Sequence, residues 1–194
     1  PSVVRESAEK RLVELKTSGE KKVRKAATSQ ERWEKRGKRM DEQIDILKGL
    51  MNGEYFAYKG EFYDIPELKL CPAPTQPVPI LIGGHSKLAL KRAARVGDGW
   101  ISAGLNLEQT ESLINQINAF REEYGTLDHP NYQFQVMGEA AYSPDGIKQL
   151  EELGATEVIV AFRNTYEGGP DERTLDGMIA EINWYAEEVI NKSK

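Results

Sequence analysis

The stretch Pro79-Ile80-Leu81-Ile82-Gly83-Gly84-His85-Ser86-Lys87 decides the fold. A short apolar run ends on two glycines, and Ser86 stands where an N-cap belongs, ahead of a helix through Lys87–Val96 whose inner face is Leu90, Ala93 and Ala94. That is a strand, a tight turn and a helix, and the unit repeats downstream. Gly97-Asp98-Gly99 turns into Trp100-Ile101-Ser102, and Asn106 with Gln109 three positions on predicts a capping-box start to a helix bearing Leu113, Ile117, Phe120 and Tyr124, stopped by Gly125. A third strand over residues 132–137 is followed by a helix that Ser143-Pro144 opens and Gly154 stops, with Ile147, Leu150 and Leu153 inward. The most strand-like run of all, residues 157–162, precedes a last amphipathic helix carrying Leu175, Met178, Ile179, Ile182, Tyr185, Val189 and Ile190.

Four strand–helix units in succession force parallel strands joined by right-handed crossovers. Two α/β architectures meet that requirement, an open doubly wound sheet and part of a (β/α) barrel of TIM type, and four units are half of a closed barrel. Periodicity alone leaves both open. Upstream, Trp33, Met40, Ile44, Leu47 and Met51 put one apolar stripe on a long helix that ends at Asn52-Gly53, which predicts packing on a core. Aromatic pairs Tyr55-Phe56 and Phe62-Tyr63 flank a Lys59-Gly60 turn and predict a small hairpin; Pro72, Pro74, Pro77 and Pro79 then enforce an extended connector. Before these, Val4, Ala8, Leu12 and Leu15 fall at helical spacing and Ser18-Gly19 interrupts them. The organisation read from the sequence is a basic helical arm over 1–29 and a half-barrel domain over 30–194.

Composition bounds the function classes. A chain of 194 residues with 39% hydrophobic and 29% charged residues is neither disordered nor fibrous. No apolar run reaches the roughly 18–20 residues of a spanning helix, and the N-terminus lacks a secretory apolar stretch. The single cysteine, Cys71, cannot form an internal disulfide, and two histidines, His85 and His129, do not make a metal site, so the expected home is the cytoplasm with no metal bound. The opening on Pro1 leaves processing or a longer parent open. The net charge of -5 is uneven: residues 1–40 hold 13 Lys+Arg against 6 Asp+Glu, and the rest hold 13 against 25. A basic arm can touch nucleic acid, but glutamates interleave it and no binding motif accompanies it, so a solvated helical face is the favoured reading.

The residues placed to do chemistry lie at strand ends. Gly83-Gly84-His85-Ser86 joins a strand end to a helix start, where unpaired N–H groups and the helix dipole converge; this pattern fits a phosphate cradle and equally a turn that only starts a helix. Ser102-Ala103-Gly104, at the next strand end, shares its rim, while Asp98 belongs to the opposite rim as a structural turn residue. His85 is placed to bond a phosphate or line an entrance, and with no paired carboxylate it is a poor general base. Glu139 and Arg163-Asn164 fall on the functional rim; His129 reads as solvated, Trp100 as core, and Cys71 as unreactive.

Four blocks occur in order: Arg39-Met40-Asp41-Glu42-Gln43-Ile44, Tyr58-Lys59-Gly60-Glu61-Phe62-Tyr63, the run from Pro72-Ala73-Pro74 to Gly83-Gly84-His85-Ser86, and Arg92-Ala93-Ala94-Arg95-Val96-Gly97-Asp98-Gly99-Trp100. Together they resemble the bacterial luciferase-like monooxygenase superfamily, in its flavin- and deazaflavin-dependent oxidoreductases. The resemblance implies a (β/α) barrel with an insertion before the fifth strand; the hairpin and proline connector take that place, and the four strands here become the fifth to eighth. It implies FMN or coenzyme F420 as cofactor, its phosphate held at Gly83, Gly84, His85, Ser86, Ser102 and Gly104. The reaction implied is hydride transfer between cofactor and a small organic substrate, with or without oxygen activation. No residue is singled out as catalytic. Residues 1–29 do not carry four strands, so an assembly-dependent, non-catalytic half-barrel stands as the alternative, closing its sheet as a homodimer or higher oligomer or with a partner chain.

Overall fold

The computed structural model describes residues 20–163 and 172–193. The chain divides into two compact units, up to Thr75 and from Gln76 onward. The apolar positions expected in residues 3–15 and the rim residue Asn164 lie outside the described residues.

The first unit is a helix and a hairpin. Helix α1 (Glu20–Met51) runs without a break through residues 29 and 30, where the sequence pattern divides arm from domain. Strands β1 (Phe56–Lys59) and β2 (Asp64–Leu68) pair antiparallel with Tyr58 opposite Ile65. The turn between them leaves amide donors over, and Glu42 of α1 collects them: its carboxylate accepts from the N–H of Glu61 at 2.7 Å and of Phe62 and Tyr63 at 3.1 Å each. Tyr63 Oη accepts from Gln43 Nε2 at 2.7 Å and from Arg39 at 3.1 Å, and the Arg39 guanidinium lies over the Phe62 and Tyr63 rings. The expected apolar stripe of α1 is only partly covered, because these helix–hairpin ties are largely polar: Ile44 is buried, but Met40 is 38% and Leu47 50% exposed.

The second unit is a parallel sheet with its helices. In order come β3 (Leu81–Gly83), α2 (Lys87–Val96), β4 (Gly99–Ile101), α3 (Leu107–Tyr124), β5 (Gln133–Val136), a 3-10 turn (Glu139–Tyr142), α4 (Pro144–Glu152), β6 (Glu157–Val158) and α5 (Leu175–Glu188). The predicted caps form: Ser86, the Asn106–Gln109 capping box, and Ser143 ahead of Pro144. The strands pair in the order β3-β4-β5-β6, all parallel. This order decides between the two architectures, since a doubly wound sheet reverses its strand order at a switch point and a barrel never does. The unit is a four-stranded piece of a (β/α) barrel.

Register places Ile82, Trp100 and Phe134 in one buried row, and Val136, on the same face, packs with Leu150 of α4 and with Ala141. On the other face Leu81, Ile101, Gln133 and Gln135 are only half-buried. The last strand is shorter than expected. Ile159 N–H still donates to Val136 O at 2.8 Å, but the Tyr142 hydroxyl then takes both backbone groups of Ala161, accepting from its N–H at 3.0 Å and donating to its carbonyl at 2.7 Å. The ladder is thereby replaced by one side chain. Helix α5 is anchored at its C-terminal end, where Tyr185 Oη donates to Ala141 O at 2.8 Å and Val189 is buried. Its expected inner face is uncovered further up, with Leu175 71% and Ile182 54% exposed, because a two-residue β6 offers the first turns no surface.

At the N-terminal ends of the strands the polar groups are paired with one another. Asp98 accepts from Ile80 N–H at 2.8 Å through Oδ2, and its backbone bonds both Ile80 and Gln133, so one residue ties β3, β4 and β5. His129, expected to be solvated, sits 3.2 Å from Asp98 Oδ1 with its ring edge-on to Tyr132, because its connector folds back beneath the start of β4. Arg121 is buried; it donates to Asn118, Thr126 and Leu127, and its Cζ lies 3.9 Å from the Tyr132 ring centroid. Burial pushes the Tyr132 phenol up to about 12, with Arg121 opposing the rise and Asp98 adding to it.

Gly-to-Ala in a helix ordinarily gains about 0.5–1 kcal/mol. At Gly49 a Cβ would meet the Phe56 ring at 2.1 Å, so Gly49→Ala is expected to speed amide exchange in the hairpin despite the propensity gain, as read by hydrogen-exchange mass spectrometry. Tyr132 Oη is buried with no partner among the described residues. The stability tied to its raised pKa is present below the ordinary tyrosine range and is lost as pH rises through about 12. Tyr132→Phe should match or exceed the parent in urea at neutral pH, and its stability should fall less steeply between about pH 10 and 12.

Candidate functional site

In a parallel sheet all strand C-termini share one rim, and since β3 and β4 are neighbours, the loops that follow them lie side by side there. The first loop is shaped by Gly84, whose φ of +112° is a conformation that side chains disfavour, and where a Cβ would stand 3.1 Å from that of Ala89. The Gly84 carbonyl accepts from Trp100 Nε1 at 2.9 Å. Ser86 closes the loop by capping α2: its Oγ accepts from Ala89 N–H at 3.3 Å and its carbonyl from Leu90 N–H at 3.0 Å.

After these bonds a set of donors is left over. The Gly84 N–H continues the β3–β4 ladder toward Ile101, but among the described residues no acceptor takes the N–H of His85, Ser86, Lys87 or Leu88, and all four residues are exposed. They stand at the positive end of the α2 dipole, and neither 83–88 nor 102–105 contains a carboxylate to compete for them. The arrangement is chemically suited to an anion: glycine leaves room for one to approach, and the amides are already directed outward.

The second loop is more fully bonded. Ser102 is 2% exposed; its N–H donates to Gln135 O at 2.9 Å and its Oγ accepts from Met137 N–H at 3.1 Å, so it ties the ends of β4 and β5 beneath the surface. Ala103 N–H donates to His85 Nε2 at 3.4 Å, which stitches the two loops together. Gly104, at φ +66°, is exposed and its amide is free of any described partner. Of the six residues expected to hold the cofactor, Gly83, Gly84, His85, Ser86 and Gly104 line one exposed rim, and Ser102 supports it from inside.

Two functions escaped the sequence reading. Trp100 is core, as expected, but it also donates into the loop; the signal available was that a wholly buried indole N–H requires an acceptor. His85 acts as an acceptor between loops, where the sequence offered only a ligand or entrance role. Glu139 and Arg163 are exposed, and Cys71 is exposed in the first unit. Among the described residues no group of three His, Cys, Asp or Glu side chains could hold a metal, and no helix is long and apolar enough to cross a membrane.

The family described as luciferase-like monooxygenase matches residues 16–145. An uncharacterized protein of Mycobacterium tuberculosis is 47% identical over 158 residues, which are 81% of this chain and 54% of that protein, so the chain spans about half the length of this relative. An F420-dependent glucose-6-phosphate dehydrogenase of Microbacterium testaceum is 31% identical, covering 60% of this chain and 35% of the enzyme. An FMNH(2)-dependent dimethylsulfone monooxygenase of Pseudomonas putida is 34% identical, covering 44% of this chain and 24% of that enzyme. Among solved structures, coenzyme F420-dependent tetrahydromethanopterin reductase from Methanopyrus kandleri superposes with a TM-score of 0.58 at 15% identity, over 79% of this chain and 63% of that one; it shares the fold.

The Ser102 tie predicts that Ser102→Ala, by leaving the Met137 amide without an acceptor, lowers unfolding free energy by about 1–2 kcal/mol in a urea titration.

Proposed function

The chain belongs to the luciferase-like monooxygenase family, and from that premise we propose that the rim of β3 and β4 holds the phosphate of a flavin-type cofactor, FMN or coenzyme F420, in an oxidoreductase acting on a small organic substrate. The observation that carries this reading is the set of four exposed, unpaired amides from His85 to Leu88 at the start of α2. The cofactors named for the relatives from Microbacterium and Pseudomonas support the same pair of candidates.

The donor set fits the group. A phosphate group presents acceptor oxygens and needs donors without a competing carboxylate, which is what residues 83–88 and 102–105 offer. The amides of His85 and Ser86 would grip the phosphate where Gly84 lets it approach, those of Lys87 and Leu88 would add the first turn of α2, and the Gly104 amide would close from the second loop. His85 would hold the two loops in register through Ala103. When bound, the cofactor supplies hydride transfer from its ring; the chain's own part at this rim is to bind and orient.

The uncovered faces favour a second reading, which concerns assembly. Leu175, Ile179 and Ile182 are exposed, one face of the sheet is half-buried, and a closed barrel has twice the four strands described. A homodimer, or a complex with a chain that brings further strands, would complete the sheet.

Titration of the purified chain with FMN, F420 and riboflavin, followed by fluorescence, tests the site. Expected are FMN or F420 binding that inorganic phosphate displaces, little binding of riboflavin, which has no phosphate, and roughly tenfold weaker FMN or F420 binding in Gly84→Ala. Equal affinity for FMN and riboflavin, with Gly84→Ala unchanged, would overturn the reading. Mass determination in solution on the same samples separates a monomer from a closed dimer.

A further inference from the structure

We propose that Trp100 is a positioning residue for the phosphate cradle and acts through a single peptide plane, a role that rests on the cofactor site proposed above. The carbonyl of Gly84 and the N–H of His85 belong to the same peptide unit. Among the described residues the one cis peptide is Cys71–Pro72, so the 84–85 unit is trans and its C=O and N–H point in opposite directions. Trp100 is wholly buried, and its indole Nε1–H holds the Gly84 oxygen at 2.9 Å. With the oxygen drawn toward the core, the His85 N–H must face away from it, onto the exposed rim.

Without that hold, glycine's freedom works against the site. Gly84 has no Cβ to bar alternative backbone angles, so its peptide can rotate and present an oxygen where an anion needs a hydrogen. The amides of Lys87 and Leu88 need no such help, because the α2 helix fixes their direction and Ser86 caps it. Trp100 therefore sets the direction of a cradle amide that α2 does not orient. Its neighbour His85, edge-on at 6.1 Å and bonded to Ala103, keeps the loop from sliding but leaves the direction of this plane unset.

The test uses two probes, inorganic phosphate and FMN, and reads backbone amides by proton–nitrogen correlation spectra. In the parent chain, phosphate should shift the His85 amide together with those of Lys87 and Leu88. In Trp100→Phe, which keeps a ring in the core and removes the indole donor, the His85 response should vanish while that of Leu88 persists, and FMN should bind about tenfold more weakly. Ile117→Val, a loss of buried volume on α3 away from the loop, should lower stability and leave the His85 response unchanged.

The parent alone can decide even if Trp100→Phe does not fold. A parent response at Lys87 and Leu88 without His85 overturns the positioning role and leaves the cofactor site standing. A parent in which none of the amides from His85 to Leu88 responds to phosphate or FMN overturns the site and this role together. Unchanged FMN affinity and an unchanged His85 response in a folded Trp100→Phe chain overturn the positioning role alone.

Discussion

In the second unit each crossover advances the sheet by one strand in the same direction. Strands joined this way stay parallel, so their ends separate into two rims with different duties. At one rim the incoming connectors must be tied down. Asp98 does this through its carboxylate and both its backbone groups, and His129 and the stacked Arg121–Tyr132 pair brace the connector that follows α3. At the other rim, chain leaving a strand enters a helix, and every such junction exposes helix amides. The difference between a plain junction and a binding site is whether the chain's own side chains use those amides up.

That difference can be followed from junction to junction. At α3 the capping box spends Asn106 and Gln109 on each other's backbone groups. At α4 the entry follows a 3-10 turn, and Ser143 caps Gly146 beside the buried Ala141. Only at α2, among these three, does the loop bring two adjacent glycines, leave the four amides of residues 85–88 without a described acceptor, and engage a core side chain at a carbonyl. A turn needed solely to begin a helix has no use for that hold.

What the sequence made legible was local. Caps and stops such as Ser86, the Asn106–Gln109 box, Ser143-Pro144 and Gly125 act across three or four residues and can be read directly. The bonds that make the site join residues far apart in the chain: Trp100 to Gly84, Ala103 to His85, and Met137 to Ser102 span 16, 18 and 35 positions. No periodicity encodes them. The same limit explains the clamp of Glu42 on the hairpin and the pairing of His129 with Asp98. It also explains why a run as strand-like as residues 157–162 leaves the ladder after two residues, since propensity cannot foresee a tyrosine hydroxyl that takes up Ala161.

The cradle and the completed sheet make different demands on the chain. All of the cradle's supports come from β3, α2, β4 and the loop after β4, adjacent pieces whose bonds are present in the four-stranded unit. The wall of a pocket for a flat, largely apolar ring is another matter, because it requires the covered inner face that Leu81, Ile101 and Gln135 only half possess here. On the proposed reading, phosphate recognition would therefore not wait on closure, whereas recognition of the ring would. On that reading the α2 rim would anchor the phosphate, and affinity beyond that anchor would grow as the open face is covered.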